Sequence, residues 1–163
     1  MTLASESLCK GDEKIVFSCP VGHAKVVSVC ASKSLTNGGY IQYRFGRENH
    51  IEISIPMNGK QYTKFVEGNQ SGSTPNSRSF IRFKSGMYSY AVYDFQYQPV
   101  SPNSGGCDTE SGLCGGDGVI VENSGRVISR LNCQGLYGHD ITNSIDDYLK
   151  QLDIPSSDDW PKY

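Results

Sequence analysis

The chain has 163 residues, with 15 lysines and arginines against 17 aspartates and glutamates, and its formal net charge is −2. Because the basic residues are interspersed with acidic ones and form no cluster, the composition argues against a nucleic-acid partner. No stretch approaches the ~20 apolar residues of a membrane-spanning helix. The length fits one domain, which can bury roughly 70% of its unfolded surface and so build a core.

The start of the chain, MTLASESLCKGDEK, has neither the basic region nor the apolar stretch of a complete signal peptide. Residues 2–5 fit the tail of a signal peptide that has been removed. We therefore treat 1–12 as an N-terminal segment, 13–155 as a single β-rich domain and 156–163 as a C-terminal tail.

The first half of the domain has the pattern of short strands joined by tight turns, in a chain with ten tyrosines and 18 glycines. In YIQYRFG, two sets of side chains alternate, as a half-buried strand requires, because successive side chains point to opposite faces. Alternation and β-branched runs between turn residues predict five strands here, at 13–19, 25–31, 40–46, 50–55 and 61–67.

Two irregular segments interrupt the second half of the domain. The polar, Gly- and Ser-rich segment 67–78 predicts a loop, and 99–117 is the longest stretch without a strand pattern. The strands predicted around these segments are 79–86, 87–97, 119–123 and 126–133, the last two joined by the turn Ser124-Gly125.

Helical spacing occurs at the end of the chain. Asp140 or Thr142 can begin a helix at about 141–152, and Pro155 follows it. The apolar residues at helical spacing are Ile141, Ile145, Tyr148, Leu149 and Leu152. We therefore predict a mainly β fold, a twisted antiparallel sheet, sandwich or open barrel of about nine strands with one C-terminal helix.

Six cysteines are the strongest indication of where the protein works. None lies in a C-x2-C pair, the usual spacing of zinc ribbons and redox motifs. An even number without that spacing predicts disulfide bonds and an oxidising compartment, the periplasm or the extracellular space. The alternative is a set of six free, mostly buried thiols in a cytosolic protein.

The closest cysteines, Cys107 and Cys114, predict a bridge that closes a small loop. Such a loop is either a rigid recognition element or an insertion held against proteolysis. Three acids, Asp108, Glu110 and Asp117, suggest Ca²⁺ as a ligand, but they lack the D-x-[DN]-x-[DN]-G order of a calcium loop. We predict no metal site.

The other four cysteines admit three pairings, among which sequence alone does not choose. In the first predicted hairpin Cys19 lies near the turn and Cys30 at the far end, so these two are poorly placed to bridge each other. We predict Cys9–Cys30 with Cys19–Cys133.

No catalytic constellation is visible in the sequence. His23, His50 and His139 occupy predicted turns or a strand start, and neither a G-x-S-x-G elbow nor an HExxH motif occurs. The glycine-rich GGDG is not a phosphate-binding loop. We therefore predict no catalytic residues and no cofactor.

Two features suggest binding. The predicted loops 67–78 and 99–117 are suited to occluding a partner's active site. The candidate partner-contacting residues are Asn69, Ser71, Asn76, Arg78, Asp108, Glu110 and Leu113. An aromatic strand is the second feature, because it either forms a binding surface or fills the core and its rim. Its aromatic residues are Tyr88, Tyr90, Tyr93, Phe95 and Tyr97.

Four segments carry a family resemblance: KGDEKIVFSCPVGHAKVVSVCAS, GYIQYRFG, SFIRFKSGMYSYAVYDF and GVIVENSGRVISRLNCQG. They resemble a family of small exported proteins from Gram-negative bacteria, largely without assigned function. The resemblance spans most of the chain from Cys9 to the C-terminal helix, implies a periplasmic location and brings no catalytic motif. The loop between Cys107 and Cys114 is an addition to that pattern.

A slighter similarity is to periplasmic inhibitors of c-type lysozymes, which carry an SGxxY-like motif. Ser85-Gly86-Met87-Tyr88 has one residue fewer between the glycine and the tyrosine. No inhibitory residue is transferred on that basis.

Taken together, the sequence predicts a periplasmic or secreted binding protein that inhibits or neutralises a partner protein. The partner would be a secreted antibacterial toxin, to which this chain is the immunity protein, or a peptidoglycan hydrolase of the cell wall. One alternative is an envelope hydrolase, which requires a deep pocket with two or more acids of raised pKa. Another is a carbohydrate-binding module, which requires a planar, exposed row of tyrosines.

Overall fold

Runs of β-branched and aromatic residues form nine strands in the computed structural model, which describes residues 7–36, 38–73, 75–100, 107, 112–134 and 147–162. Sheet A has four antiparallel strands in chain order: β1 (Glu13–Gly22), β2 (Lys25–Ser32), β3 (Ile41–Arg47) and β4 (His50–Ile55). Sheet B has five, also antiparallel and in chain order: β5 (Val66–Ser73), β6 (Asn76–Ser85), β7 (Tyr88–Tyr97), β8 (Cys114–Asn123) and β9 (Arg126–Asn132).

The two sheets pack face to face over one core. Its central side chains are at most 1% exposed: Phe17, Val27, Val29, Ile41 and Tyr43 from sheet A, and Ile81, Phe83, Val92 and Val119 from sheet B. The ring centroid of Tyr43 lies 5.7 Å from that of Phe83 and 5.2 Å from that of Tyr90, so one aromatic cluster joins the sheets. In the described part of the chain the two sheets share no strand and neither closes into a barrel, which confirms the predicted mainly β fold as a sandwich.

Two short helices complete the described structure. A 3₁₀ turn (Gly59–Gln61) leads into α1 (Tyr62–Phe65), and the C-terminal helix α2 is described over 147–151. Tyr148 and Leu152 are buried, as the predicted helix at 141–152 required, and its first half lies outside the described residues. Among the described residues no helix is long and apolar enough to cross a membrane.

Three predicted boundaries are wrong. The strand predicted at 61–67 begins only at Val66, because the side chain of Asn58 accepts a hydrogen bond from the backbone N–H of Lys60 and starts a helical turn instead. The predicted loop 67–78 is a β-hairpin, β5 with β6, whose ladder continues to Ser73 and Asn76. Likewise the irregular segment 99–117 ends in strand, because β8 begins at Cys114.

The C-terminal tail is docked on sheet B through the last described residue. The backbone N–H of Gly68 on β5 donates to the carbonyl of Pro155 (3.1 Å), and the N–H of Ser157 donates to the carbonyl of Gly68 (3.1 Å). Farther along, Trp160 packs edge-on against Phe80 with ring centroids 5.1 Å apart. The tail therefore crosses the outer face of sheet B, the face turned away from sheet A.

Gly118 on β8 is required by close packing. A Cβ there would clash with the carbonyl oxygen of Leu131 on β9 and lie 3.1 Å from the hydroxyl of Tyr93. We expect Gly118→Ala to lower the free energy of unfolding by about 1–3 kcal/mol, measured by urea denaturation. Gly11→Ala is the control, since a Cβ there meets no atom within 4 Å. Equal stability of both variants would contradict this account of the β8–β9 contact.

Candidate functional site

All six cysteines form the three predicted disulfides. Cys9–Cys30 ties the N-terminal segment to β2, and Cys107–Cys114 closes the loop before β8. The third bridge, from Cys19 on β1 to the residue after β9, joins the two sheets across 114 residues of sequence. Three bridges fit a protein of an oxidising compartment.

A cleft of about 340 Å³ lies at the end of sheet B where β5 and β6 are joined and β7 ends. We call it the sheet-B cleft. It is lined by Ser71, Gly72, Asn76, Ser77, Arg78, Phe95, Gln96 and Tyr97. Pairing places Arg78 beside Phe95 and Ser71 beside Arg78, so these three side chains share the outer face of the sheet.

The sheet-B cleft brings together three of the residues predicted to contact a partner: Ser71, Asn76 and Arg78. They project from paired strands and not from a loop, which corrects the prediction for 67–78. The composition predicted a loop because glycine, serine and asparagine are frequent in exposed segments. These residues are exposed because they lie in an edge hairpin, and pairing with the buried strand β6 fixes the backbone as a strand.

The remaining predicted contact residues lie elsewhere. The amide of Asn69 donates to the carbonyl of Ser157 (2.9 Å) and so anchors the tail instead of facing the cleft. Leu113 is half-buried beside Cys114, whose strand partner is Tyr97, so Cys114 and its disulfide lie next to a residue that lines the cleft. Asp108 and Glu110 lie outside the described residues.

Three nearly parallel rings form one wall of the outer face. Tyr93 and Phe95 have centroids 6.1 Å apart and planes 16° apart, and Phe95 and Tyr97 are 6.4 Å and 14° apart. These rings lean over the glycines of β8, since a Cβ at Gly116 would meet the Phe95 ring at 3.3 Å. Exposure rises along the row from 7% at Tyr93 to 42% at Tyr97, so the row presents one well-exposed ring at the cleft.

Arg78 is positioned by an aromatic stack that the sequence did not indicate. Its guanidinium carbon lies 3.8 Å from the ring centroid of Trp160, which is itself packed on the fully buried Phe80. Trp160 is the chain's single tryptophan, and its position in a polar tail gave no sign of this contact. The stack holds the guanidinium at the cleft without engaging its N–H donors.

The open edge of β5 beside the cleft is blocked by its own side chains. The N–H of Gln70 donates to the side-chain oxygen of Asn69 (2.8 Å), and the Gln70 amide donates to the carbonyl of Gly72 (3.2 Å). Edge groups satisfied in this way do not template an added strand. A partner at the cleft therefore meets side chains and not a free strand edge.

The inner face of sheet B carries a pair of acids near the core. Asp94 on β7 and Asp117 on β8 are directly opposite each other in the ladder, and Ser79 on β6 is the next residue in the same row. Burial raises the pKa of Asp117, and a hydrogen bond from its own backbone N–H only partly offsets this. The Oγ of Ser79 is buried and has no hydrogen-bond partner among the described residues.

Among the described residues, no group of three or more His, Cys, Asp or Glu side chains is placed to hold a metal ion. His23 and His50 are exposed, at the β1–β2 turn and the start of β4, and His139 lies outside the described residues. His23 and His50 belong to sheet A, whereas the acid pair Asp94 and Asp117 belongs to sheet B. Comparisons of the chain with protein families, with curated proteins and with solved structures found no match.

Proposed function

We propose that this protein is a binding protein of the periplasm, and not an enzyme, which inhibits or neutralises a partner protein through the sheet-B cleft and its borders. The observation that carries the proposal is the cleft itself, where Arg78, Tyr97 and Phe95 converge at the end of a rigid sheet. Arginine, tyrosine and tryptophan supply most of the binding energy in protein interfaces, and Trp160 lies directly behind Arg78.

Preorganisation is the mechanism we propose. The β5–β6 hairpin is fixed by eight cross-strand pairs, and the Cys107–Cys114 disulfide cross-links the chain at the start of β8. A contact surface that is already ordered loses little conformational entropy on binding, so more of the interaction energy becomes affinity. The hairpin and the disulfide loop would occlude the partner's active site.

Two kinds of partner fit this mechanism: a secreted antibacterial toxin, with this chain as its immunity protein, and a peptidoglycan hydrolase of the cell wall. The resemblance of four segments to small exported proteins of Gram-negative bacteria supports the compartment, as do the three disulfides. Both kinds of partner would be encountered in the periplasm.

Differential capture tests the proposal. The oxidised protein serves as bait for envelope and secreted proteins of its source cells, as wild type, as Tyr97→Ala and as Tyr88→Ala. Tyr97 and Tyr88 are matched, because they lie at opposite ends of β7 and are 42% and 43% exposed. We expect wild type and Tyr88→Ala to hold one stoichiometric partner with a toxin or hydrolase domain, and Tyr97→Ala to hold it at least about tenfold more weakly.

A partner held equally by wild type and Tyr97→Ala would place the contact surface elsewhere on the molecule. Loss of the partner by Tyr88→Ala alone would move it to the opposite end of sheet B. A bait shown to be folded that captures no partner would favour the alternatives over a binding protein.

An envelope hydrolase is the second candidate, and the cross-strand pair Asp94 and Asp117 is the observation that favours it. Directly opposite residues have Cβ atoms about 4.5–5.5 Å apart, and a buried acid of raised pKa is suited to donate a proton. Release of soluble fragments from purified cell walls by the wild type, abolished in Asp117→Asn, would favour this candidate.

A further inference from the structure

We infer that the sheet-B cleft binds a carboxylate from an acidic segment of the protein partner, held by the guanidinium of Arg78 and flanked by apolar side chains on Phe95 and Tyr97. This inference rests on the proposed function, since it names the chemistry of the segment that the cleft would contact.

The state of Arg78 is the first ground for the inference. Within the described ranges, its guanidinium has no carboxylate or hydrogen-bond partner and stacks on the ring of Trp160. The stack uses the face of the guanidinium and leaves the five N–H donors at its edge, where a carboxylate binds with two parallel hydrogen bonds. Because the stack also fixes the side chain, little rotamer freedom remains to be lost.

Two other arginines of the molecule differ from Arg78 because they bind acids of the same chain. Arg44 is 5% exposed and binds both carboxylate oxygens of Glu13, at 2.6 and 2.8 Å. Arg82, 3% exposed, binds Glu67 at 2.8 Å and the carbonyl of Asp159 at 2.7 Å. Both are satisfied within the chain, whereas Arg78 is exposed and stacks on Trp160, with no acid beside it among the described residues. An arginine held in place with its donors free is complementary to an external anion.

Charge around Arg78 is the second ground. The described lining of the cleft contains no aspartate or glutamate, so the cleft carries one positive charge in a chain of net charge −2. The Oδ1 of Asn76 accepts the backbone N–H of Gln98 (3.1 Å), which leaves the amide N–H₂ as the part of that side chain offered to a ligand. Arg78 and Asn76 thus present N–H donors, as a carboxylate requires.

The aromatic wall selects the kind of molecule that brings the carboxylate. A saccharide would require a planar, exposed row of rings, whereas this row is well exposed only at Tyr97. Pairing with a partner strand is opposed by the blocked edge at Gln70. An acidic residue next to an aromatic or aliphatic one, as in a protein segment, satisfies both the guanidinium and the ring.

Trp160 supplies a direct test, because the single tryptophan of the chain stacks on the proposed anion receptor. The probes are the blocked tripeptides acetyl-Phe-Glu-Phe-amide and acetyl-Phe-Gln-Phe-amide, titrated into the oxidised protein at low salt while Trp160 fluorescence is followed. We expect saturable binding of the Glu peptide with a Kd of about 1 mM or below, and about tenfold weaker binding of the Gln peptide. Salt should weaken the Glu peptide selectively.

The variants isolate the guanidinium. Arg78→Ala should abolish the difference between the two peptides, and Arg78→Lys should lose most of it, because an ammonium lacks the planar fork. Arg47→Ala, which removes an exposed arginine at the end of β3, should bind both peptides like the wild type. The thermal unfolding midpoint of each variant is the check that it is folded.

Equal affinity for the two peptides, or no saturable binding of the Glu peptide, would overturn the inference. So would binding of a galacturonic acid oligosaccharide in place of the peptide, since the carboxylate would then come from a sugar. Capture of the partner by Tyr97→Ala and by Arg78→Ala distinguishes failure of the carboxylate site from failure of the proposed function. A partner lost by Tyr97→Ala but retained by Arg78→Ala leaves the proposed function of the sheet-B cleft standing without the carboxylate. A partner retained by both variants places the contact surface outside the sheet-B cleft.

Discussion

Removing the bridge between the sheets, by the double substitution Cys19→Ala and Cys133→Ala, is expected to lower the free energy of unfolding by about 4–5 kcal/mol. The bridge spans 114 residues of sequence, and a cross-link over so long a loop removes the most conformational entropy from the unfolded chain. Cys19 is 1% exposed within the core, so replacing it with alanine also removes packing contacts of the sulfur and lowers stability further. Guanidinium unfolding at equilibrium gives the measurement.

The matched control removes the short bridge, as Cys107→Ala with Cys114→Ala. That bridge spans seven residues at the rim of the sandwich, for which the same chain-entropy estimate is about 2–3 kcal/mol. The expected order of stability is therefore wild type, then the variant without the short bridge, then the variant without the long one. The reverse order would show that the sheets hold together without their covalent link.

The strands could be predicted from the sequence because alternating side chains are a local pattern. The disulfides could be predicted in part, from the positions of two cysteines in the first hairpin. The alternation in 40–46 matches β3, where Ile41 and Tyr43 face the core and Gln42 faces outward. The position of Cys19 near the turn and Cys30 at the far end of one hairpin argued against their pairing and left two pairings of the four cysteines open. The structure confirms the predicted choice between those two pairings, Cys9–Cys30 with Cys19–Cys133.

The hairpin at 67–78 could not be predicted from the sequence, because its residue types are typical of loops whereas its backbone forms paired strands. Ser71 and Gly72 have turn-forming side chains, yet they pair with Arg78 and Ser77. What makes them strand is the ladder that continues from Ile81 and Phe83, both buried against sheet A. Tertiary pairing of this kind overrides propensity most readily at an edge strand.

Two residues of the candidate site were predicted from the sequence, but their proximity was not. Arg78 and Tyr97 were each named from the sequence, in a supposed loop and in an aromatic strand, but nothing in the chain order indicated that they line one cleft. Trp160 was missed, because its contact with Arg78 depends on the tail crossing the outer face of sheet B. Two residues separated by 82 positions meet only once the sandwich is assembled.

The second large effect is expected at the buried ion pair of sheet A, where Glu13→Gln should lower the free energy of unfolding by about 3–5 kcal/mol. The side chains of Arg44 and Glu13 are 6% and 1% exposed, and the guanidinium binds both carboxylate oxygens. Neutralising the acid leaves the arginine charge buried without its counter-ion. The control is Glu52→Gln, which removes the half-exposed pair with Lys25 on the same sheet and should cost at most about 1 kcal/mol.

The pH dependence of stability gives an independent measurement of the same pair. Burial raises the pKa of Glu13, but hydrogen bonds from Arg44, Tyr40 and the backbone N–H of Lys10, with the arginine charge, outweigh it and lower the pKa to about 2. Because the folded-state pKa is depressed, the stabilisation is present above pH 4.5, the value for the unfolded chain, and is lost as pH falls toward about 2. We expect the wild type to lose roughly 3 kcal/mol across this window from Glu13 alone, and Glu13→Gln to lack that part of the slope. Parallel curves of unfolding free energy against pH for wild type and Glu13→Gln would show that the ion pair does not stabilise β1.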